Sequence, residues 1–545
     1  MPALFAPLAP SVAEAQLYDS RSKPSALHPT PLASGGAHEA PNVQYGPQQA
    51  PCAVEDADAC RTALSVIDAA AAALFKSAPA KAVQIAVRRD DRFVYSKAFG
   101  SEDPKGLVPA TRRSLFQIGS NTKKATAIAV LRAVEEGAIE LDQTIDEILP
   151  ELKLARDPEW THKATLRHLL SHQSGLWDYT PWTDAPEDSD VARFTYGTFA
   201  EHEWSTTPPG AVWNYSNANF ALLGAVLERV YGEPYRKVIE RALYQPLRMR
   251  HTYARRAEAI ETGHAVWSFG VPLKALSSST YDPWSQYQAP DPSAAPLSME
   301  WVAPEDQEDN AFVRPAGLTW STAEDECRVG SFLMFGDRRV LSDDLRQEMV
   351  TPQAKTAPDP NAGGYGFGIG SGKHLRLGPE TAYDIEFLEH NGATMRMISE
   401  MFAFPEQGLT FSVLTNSRMD TDEASAAWQS LVISVIHAYV ALPPPHAPDA
   451  PEPPDDGARY AGTYADPLGL GTVVVQWDGS KLTLAAPELT ARGAKVDETL
   501  VIAQKNVLIG TVDGQPVGLQ VWPSSNSDAA YLVSRVDAFT RIAGP

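Results

Sequence analysis

Seven prolines stand between Pro443 and Asp456 (Pro443, Pro444, Pro445, Pro448, Pro451, Pro453 and Pro454). Proline locks one backbone dihedral and lacks an amide hydrogen, so this stretch can form neither a helix nor an interior strand. It reads as a stiff polyproline spacer, and it divides the chain. Before it, helical and strand patterns are mixed. After it, only short β-runs occur. Thr472 to Gln476 and Lys481 to Leu484 flank Asp478-Gly479, and Leu508 to Val512 and Val517 to Val521 flank Asp513-Gly514. An Asp-Gly pair between two strand-like runs is a hairpin signal. Residues 457–545 are therefore expected to form a small antiparallel β-barrel or sandwich. The N-terminal residues 1–60 show no sustained period and are expected to be a poorly ordered extension. Residues 61–442 form the main domain and 443–456 the linker.

Within 61–442 the patterns predict a helix over Arg61 to Lys76 and a hairpin over Val83 to Ala98, turning at Arg89-Asp90-Asp91-Arg92. A helix is predicted from Ser120 to Glu136, its buried face carried by Ala127, Leu131 and Val134 and its end set by Gly137. Met395 to Phe404 and Leu409 to Asn416 predict a second hairpin, and Thr421 to Leu442 a terminal helix. A strand pair near each end suggests one antiparallel sheet closed by both ends of the main domain.

Formal net charge is −22 over 545 residues, which argues against nucleic acid, whose phosphates need a basic surface. No apolar run approaches the roughly 20 residues needed to span a bilayer. Three cysteines make no zinc framework. Cys52 and Cys60 are either one bridge or two free thiols, and Cys327 reads as a small core residue. Met1 to Gln16 is apolar, with Ala13-Glu14-Ala15 like a cleavage site, yet the first basic residue is Arg21.

Gly119-Ser120-Asn121-Thr122-Lys123 carries the chemistry. Serine and lysine three apart at a helix start share one face, so the amine can take or hold the proton of a hydroxyl that is otherwise a poor nucleophile. Tyr215-Ser216-Asn217 and His390-Asn391-Gly392-Ala393 follow at separations that resemble the three active-site motifs of the penicillin-recognising serine hydrolases. Leu169 to Leu176, Gln245 to Met249, and Ala316 to Asp325 resemble further segments of the class C β-lactamase-like family, which includes DD-peptidases, D-aminopeptidases, amidases and esterases. The likeness covers about residues 60–440. Tyr460 to Tyr464 resembles the opening of C-terminal β-modules attached to this family. The implied fold is α/β (α+β): a β-lactamase-like antiparallel sheet flanked by helices, beside an all-helical lobe, with the active site between them. Export is common in the family, so a periplasmic or secreted location is expected, with the cytoplasm as the alternative.

The resemblance implies an acyl-enzyme on Ser120. Lys123 and Tyr215 form one coupled proton relay in which either is the formal base. Asn217 orients Lys123 and meets the substrate's amide. The oxyanion sits between the backbone N–H groups of Ser120 and Ala393. His390 departs from the lysine usual in β-lactamases and matches several peptidases and amidases. A histidine carries only part of a charge near neutrality, which favours a peptidase over a lactamase. No cofactor is expected. His168 and His172 have a zinc-like spacing but no third ligand, so no metal is expected either. The stretch from Trp267 to Val313 is long and aromatic. Its length and composition resemble the bacterial peptidases that open linearised microcystin, a non-ribosomal peptide with D-residues and a large aromatic β-amino acid. Substrate contacts are accordingly expected from Gly392, Trp177, Tyr179, Trp267 and Trp284. The partner is then a small peptide substrate. Esterase or lactamase activity, or a non-catalytic scaffold, are the alternatives, and oligomeric state is left open.

Overall fold

The computed structural model describes residues 57–545 except 157–159, 179, 182, 273–298, 359–361, 379, 449–455, 467–468, 524–528, 535–536 and 545. The predicted first hairpin is formed by Ala82–Arg89 and Arg92–Gly100, with Asp90 in the left-handed conformation at the turn (φ 53°). Ala82–Arg89 pairs on its other side with Leu409–Thr415, so the two ends of the main domain do meet in one sheet. That sheet has eight strands. From Arg92–Gly100 it runs through Ala82–Arg89, Leu409–Thr415, Ile398–Phe404, Ala382–Ala393 and Gly370–Arg376 to Gly364–Tyr365 and Ala354–Lys355. The described neighbours pair antiparallel.

Apolar residues cover both faces of the central strands. The helices Ala57–Ser77 and Asp422–Tyr439 bury Ile67, Leu74, Trp428, Leu431 and Val435 against Val83, Ile85, Phe402 and Phe411. On the opposite face, Cys327 of the helix Ala323–Phe335 is fully buried and donates to the Ala86 carbonyl at 3.4 Å. This is the core role expected of that cysteine. Cys52 lies outside the described residues, and with it the question of its pairing. The helical lobe centres on Thr122–Glu135 and Asn217–Tyr231, whose Ile128, Leu131, Phe220, Leu223 and Leu227 share one large core.

The tail resolves the choice left open between sandwich and barrel. Eight strands from Gly462–Asp466 to Ala538–Ala543 form a closed barrel, with the first paired to the last. Both Asp-Gly hairpins are present: Gly471–Trp477 pairs with Leu482–Ala485, and Val507–Val512 with Gln515–Pro523. Tyr464 Oη donates back to the Tyr460 carbonyl at 2.8 Å and anchors the barrel's entry. The barrel leans on the segment that precedes Tyr215. Trp204 Nε1 donates to Asp466 Oδ2 at 3.0 Å, and Val212 packs with Val533 and Ala538. No helix among the described residues is long and apolar enough to cross a membrane.

Candidate active site

Ser120 does not sit on the α-helix itself. Gly119–Asn121 is a 3₁₀ turn, and the α-helix begins at Thr122. The tighter turn still brings Lys123 beneath Ser120, because residues three apart eclipse in a 3₁₀ helix. Two extended segments hold the turn. Ile118 N donates to Thr319 O at 2.9 Å, and Phe116–Gln117 pairs with Trp320–Ser321. From the other side comes the end of Ala382–Ala393. A Cβ at Gly392 would lie 1.9 Å from Ile118 O, and one at Gly119 (φ +53°) would lie 2.4 Å from Ala393 N. Only glycines let these backbones approach, and their approach puts Ala393 beside Ser120.

The lysine ammonium is the centre of the site. Lys123 Nζ donates to Ser120 Oγ at 3.0 Å, Asn217 Oδ1 at 2.7 Å and Ala316 O at 2.7 Å. It lies 4.9 Å from the centre of the Tyr215 ring. Lys123 is fully buried and Ser120 is 6 % exposed. Thus Ser120, Lys123, Tyr215 and Asn217, spread over about a hundred residues of sequence, converge on one point. Asn217 is the first residue of the helix Asn217–Tyr231, and its own amide donates to Asp178 Oδ1 at 2.6 Å.

His172 is a support for the tyrosine motif. Its Nδ1 accepts from Ser216 N at 3.2 Å and lies 3.1 Å from Asn219 Nδ2, so the neutral ring carries its proton on Nε2. Its ring lies 4.2 Å from that of Tyr215. His168 Nδ1 instead faces Thr165 at the start of its helix, so the two histidines with zinc-like spacing are engaged in separate tasks.

His390 is 5 % exposed, and burial together with the nearby Lys124 and Lys123 ammonium groups pushes its pKa down to about 3. Its Nδ1 faces the Asn391 carbonyl at 2.5 Å and therefore carries the proton. Its Nε2, 3.0 Å from Tyr365 Oη, accepts from that hydroxyl. The ring is neutral, which goes beyond the partial charge expected from sequence. Tyr365 has no motif to announce it, and sequence reasoning missed it.

A second buried network lies behind the serine and was also missed. Lys124 Nζ bonds to Glu326 Oε2 at 3.0 Å and to Asn121 Oδ1. Asn121 Nδ2 donates to Ser399 Oγ at 2.7 Å, and Ser399 Oγ donates to Ile118 O at 2.6 Å. Burial raises the Glu326 carboxyl and lowers the Lys124 amine, and their mutual attraction opposes both shifts. The chain of contacts ties the turn at Ser120 to the strand Ile398–Phe404.

The substrate contacts expected from aromatic residues fare differently. Trp177 is 1 % exposed and stacks on Trp204 with ring centres 4.6 Å apart, so it is packing beneath the site and not a pocket wall. Trp267 is half-buried, its backbone bonded to Glu102 and Asn416. Tyr179 and Trp284 lie outside the described residues. The stem of the long aromatic stretch is a two-stranded ribbon, Ser268–Gly270 with Glu300–Val302, where Phe269 faces Trp301. Arg396, buried on the turn after the third motif, bonds Val271 O at 2.6 Å and pairs with Glu308, fastening this stem to the site.

The family model described as Beta-lactamase matches residues 67–434, more than half of the chain. The chain belongs to the Beta-lactamase family. Members of that family are serine hydrolases. Penicillin-binding protein 4 of Amycolatopsis lactamdurans is 27% identical over 367 residues, 66% of this chain and 86% of that protein. Protein flp of Staphylococcus aureus (strain COL) is 29% identical over 177 residues, 31% of this chain and only 34% of flp, so the alignment spans about a third of that relative. Among solved structures, SurE is similar over 88% of this chain and 99% of its own, at a TM-score of 0.57 and 21% identity. A penicillin-binding protein homologue from Pyrococcus abyssi, described as octameric, covers 88% of this chain and 99% of its own at a TM-score of 0.52 and 18% identity. These structural likenesses concern the fold.

Proposed function

We propose that this chain is a serine hydrolase, a peptidase or amidohydrolase of short linear peptides, with Ser120 as nucleophile. Ser120 Oγ attacks the scissile carbonyl while its proton passes to the Lys123–Tyr215 relay. The tetrahedral oxyanion is received by the backbone N–H groups of Ser120 and Ala393. The relay then protonates the departing amine, the C–N bond breaks, and water hydrolyses the resulting serine ester. Asn217 holds Lys123 in place.

The observation that carries the choice of substrate is the uncharged His390, buried and bonded to Tyr365. A neutral imidazole provides no fixed positive charge for a lactam carboxylate. A linear peptide can instead draw on contacts far from the cut bond, which raise turnover when they strengthen in the transition state. The stem of the aromatic stretch, fastened beside the site by Arg396, supports a bulky apolar substituent in the substrate. A similar structure, SurE described with D-Leu, is in line with D-residues in the substrate. Linearised microcystin, with D-residues and one large aromatic residue, is the candidate. An exported location belongs to the same reading.

The test is a set of kcat/KM values for linear peptides, their cyclic parents, p-nitrophenyl esters and nitrocefin. Linear peptides with a bulky apolar group should be cut fastest, with nitrocefin poor. Short esters winning by orders of magnitude, with no peptide cut, would replace the peptidase by an esterase. Tyr215→Phe should cost on the order of 10²–10⁴ in rate. Ser120→Ala should abolish turnover and the mass adduct left by a fluorophosphonate, with the fold intact.

A further inference from the structure

The strand Ala382–Ala393 reaches the active site with its C-terminal end. Its N-terminal end carries a cluster that the reaction does not use. Asp384 stands directly opposite His374 in the antiparallel pair with Gly370–Arg376. On the strand's other edge, Ala382 pairs with His446 of the proline-rich spacer, exchanging both backbone hydrogen bonds at 2.9 and 3.0 Å. Residues two apart along a strand share a face, and diagonal neighbours are within reach of long side chains. Three extended segments thus deliver one side chain each to the same spot. His374 Nδ1 lies 2.7 Å from Asp384 Oδ1, and His446 Nε2 lies 3.1 Å from the same oxygen. The three ligand atoms all lie within 4.8 Å of one another.

A hydrogen bond at the far side of His446 adds an independent constraint. Its Nδ1 faces the Ala447 carbonyl at 2.8 Å. A carbonyl only accepts, so Nδ1 carries the proton. In the neutral ring, Nε2 then presents a lone pair to a carboxylate oxygen. Two acceptors facing each other repel unless a proton or a metal cation lies between them. An imidazole whose second nitrogen donates to a backbone carbonyl is also the usual form of a metal-bound histidine.

We propose that His374, Asp384 and His446 form a surface site for a divalent cation of the zinc class. Two imidazole nitrogens and one carboxylate suit such an ion better than magnesium or calcium, which take oxygen ligands. Ligands about 2.0–2.2 Å from a tetrahedral zinc lie roughly 3.3 Å apart, so the two histidine–carboxylate contacts, at 2.7 and 3.1 Å, would open slightly while the two imidazole nitrogens, within 4.8 Å of each other, draw together. All three are partly open to solvent, at 49 %, 68 % and 37 % exposure, leaving the remaining coordination position to water. The cation takes no part in catalysis. It clips the spacer, and so the root of the barrel, to the strand whose other end is the third motif.

The experiment is zinc titration of the full chain after EDTA dialysis, at neutral pH, by calorimetry and by thermal unfolding. One saturable site per chain and a raised Tm are expected, because a ligand bound only by the folded state stabilises it. His374→Gln and His446→Gln should each weaken zinc by more than about tenfold and remove the Tm shift. Their ester-hydrolysis rates, with or without EDTA, should match those of the parent. If either variant fails to fold, Asp384→Asn on the exposed face serves in its place. No saturable zinc binding below about millimolar, or equal binding by parent and variants, overturns the site and leaves a protonated His446 as the bridge to Asp384.

Discussion

His390 is a histidine that the fold keeps uncharged, and this has a consequence for acid stability. Its value in the unfolded chain is about 6.5 and falls to about 3 in the folded protein. Between these values the unfolded state binds more protons. Its contribution is therefore fully present above about pH 6.5 and is lost as the pH falls toward 3, with a limiting slope of about 1.4 kcal/mol per pH unit. Half-buried Glu228 and buried Asp325 are raised, to about 7 and about 6, by desolvation, and they act in the opposite sense. The readout is thus a difference. Urea unfolding between pH 7 and 4 should show a shallower acid loss for His390→Gln than for the parent, and parallel curves would contradict the buried neutral ring. At this scale the legible residues were those whose chemistry needs a fixed local spacing: Ser120 with Lys123, Tyr215 with Asn217, and His390 before Gly392. Tyr365, Asp178 and the Asn121–Lys124–Glu326 network were not legible. Each acts through a partner far away in sequence, and a lone tyrosine or acid carries no pattern of its own.

The elements position these residues through close backbone approaches, and the third motif's glycine is the sharpest case. A methyl group on Gly392 would meet Ile118 O at 1.9 Å and Ser399 Oγ at 2.5 Å. Gly392→Ala should push the strand away from the serine turn, costing about 1–3 kcal/mol of stability and on the order of 10² in kcat through a displaced Ala393 amide. Gly197→Ala, in the helical segment Phe194–Phe199 where a Cβ would meet nothing within 4 Å, should leave turnover unchanged and raise stability by up to about 1 kcal/mol. Equal effects of the two substitutions on turnover would remove the close approach as the reason for the motif. The elements of the main domain that could be read from period and turn chemistry were both hairpins, the helix after Ser120 and the helices at each end. What could not be read was the pairing between distant strands, such as Phe116–Gln117 with Trp320–Ser321, because nothing local sets that register. The barrel shows the same division. Its Asp-Gly hairpins were visible, but closure depends on Gly462–Asp466 meeting Ala538–Ala543 across the whole tail.

Across the whole molecule, one line of contacts runs from the barrel to the tyrosine motif. Asp466 accepts from Trp204 Nε1 at 3.0 Å and from Leu470 N at 3.2 Å. Trp204 stacks on Trp177, and the Trp177 carbonyl accepts from Ser216 Oγ at 2.8 Å, between Tyr215 and Asn217. Both indoles and Asp466 are buried to 1 % exposure or less. Removing the carboxylate strands a buried indole N–H, and such a loss costs about 1–3 kcal/mol. Asp466→Ala should therefore lower the Tm by a few degrees. If the stack positions Ser216, it should also lower kcat about tenfold with KM little changed, because a small displacement of a relay group acts on the chemical step. Asp466→Asn keeps an acceptor for the indole and should recover most of the turnover. A variant that loses stability but keeps the parent's kcat would show that the barrel braces the helical lobe without setting the geometry at Tyr215.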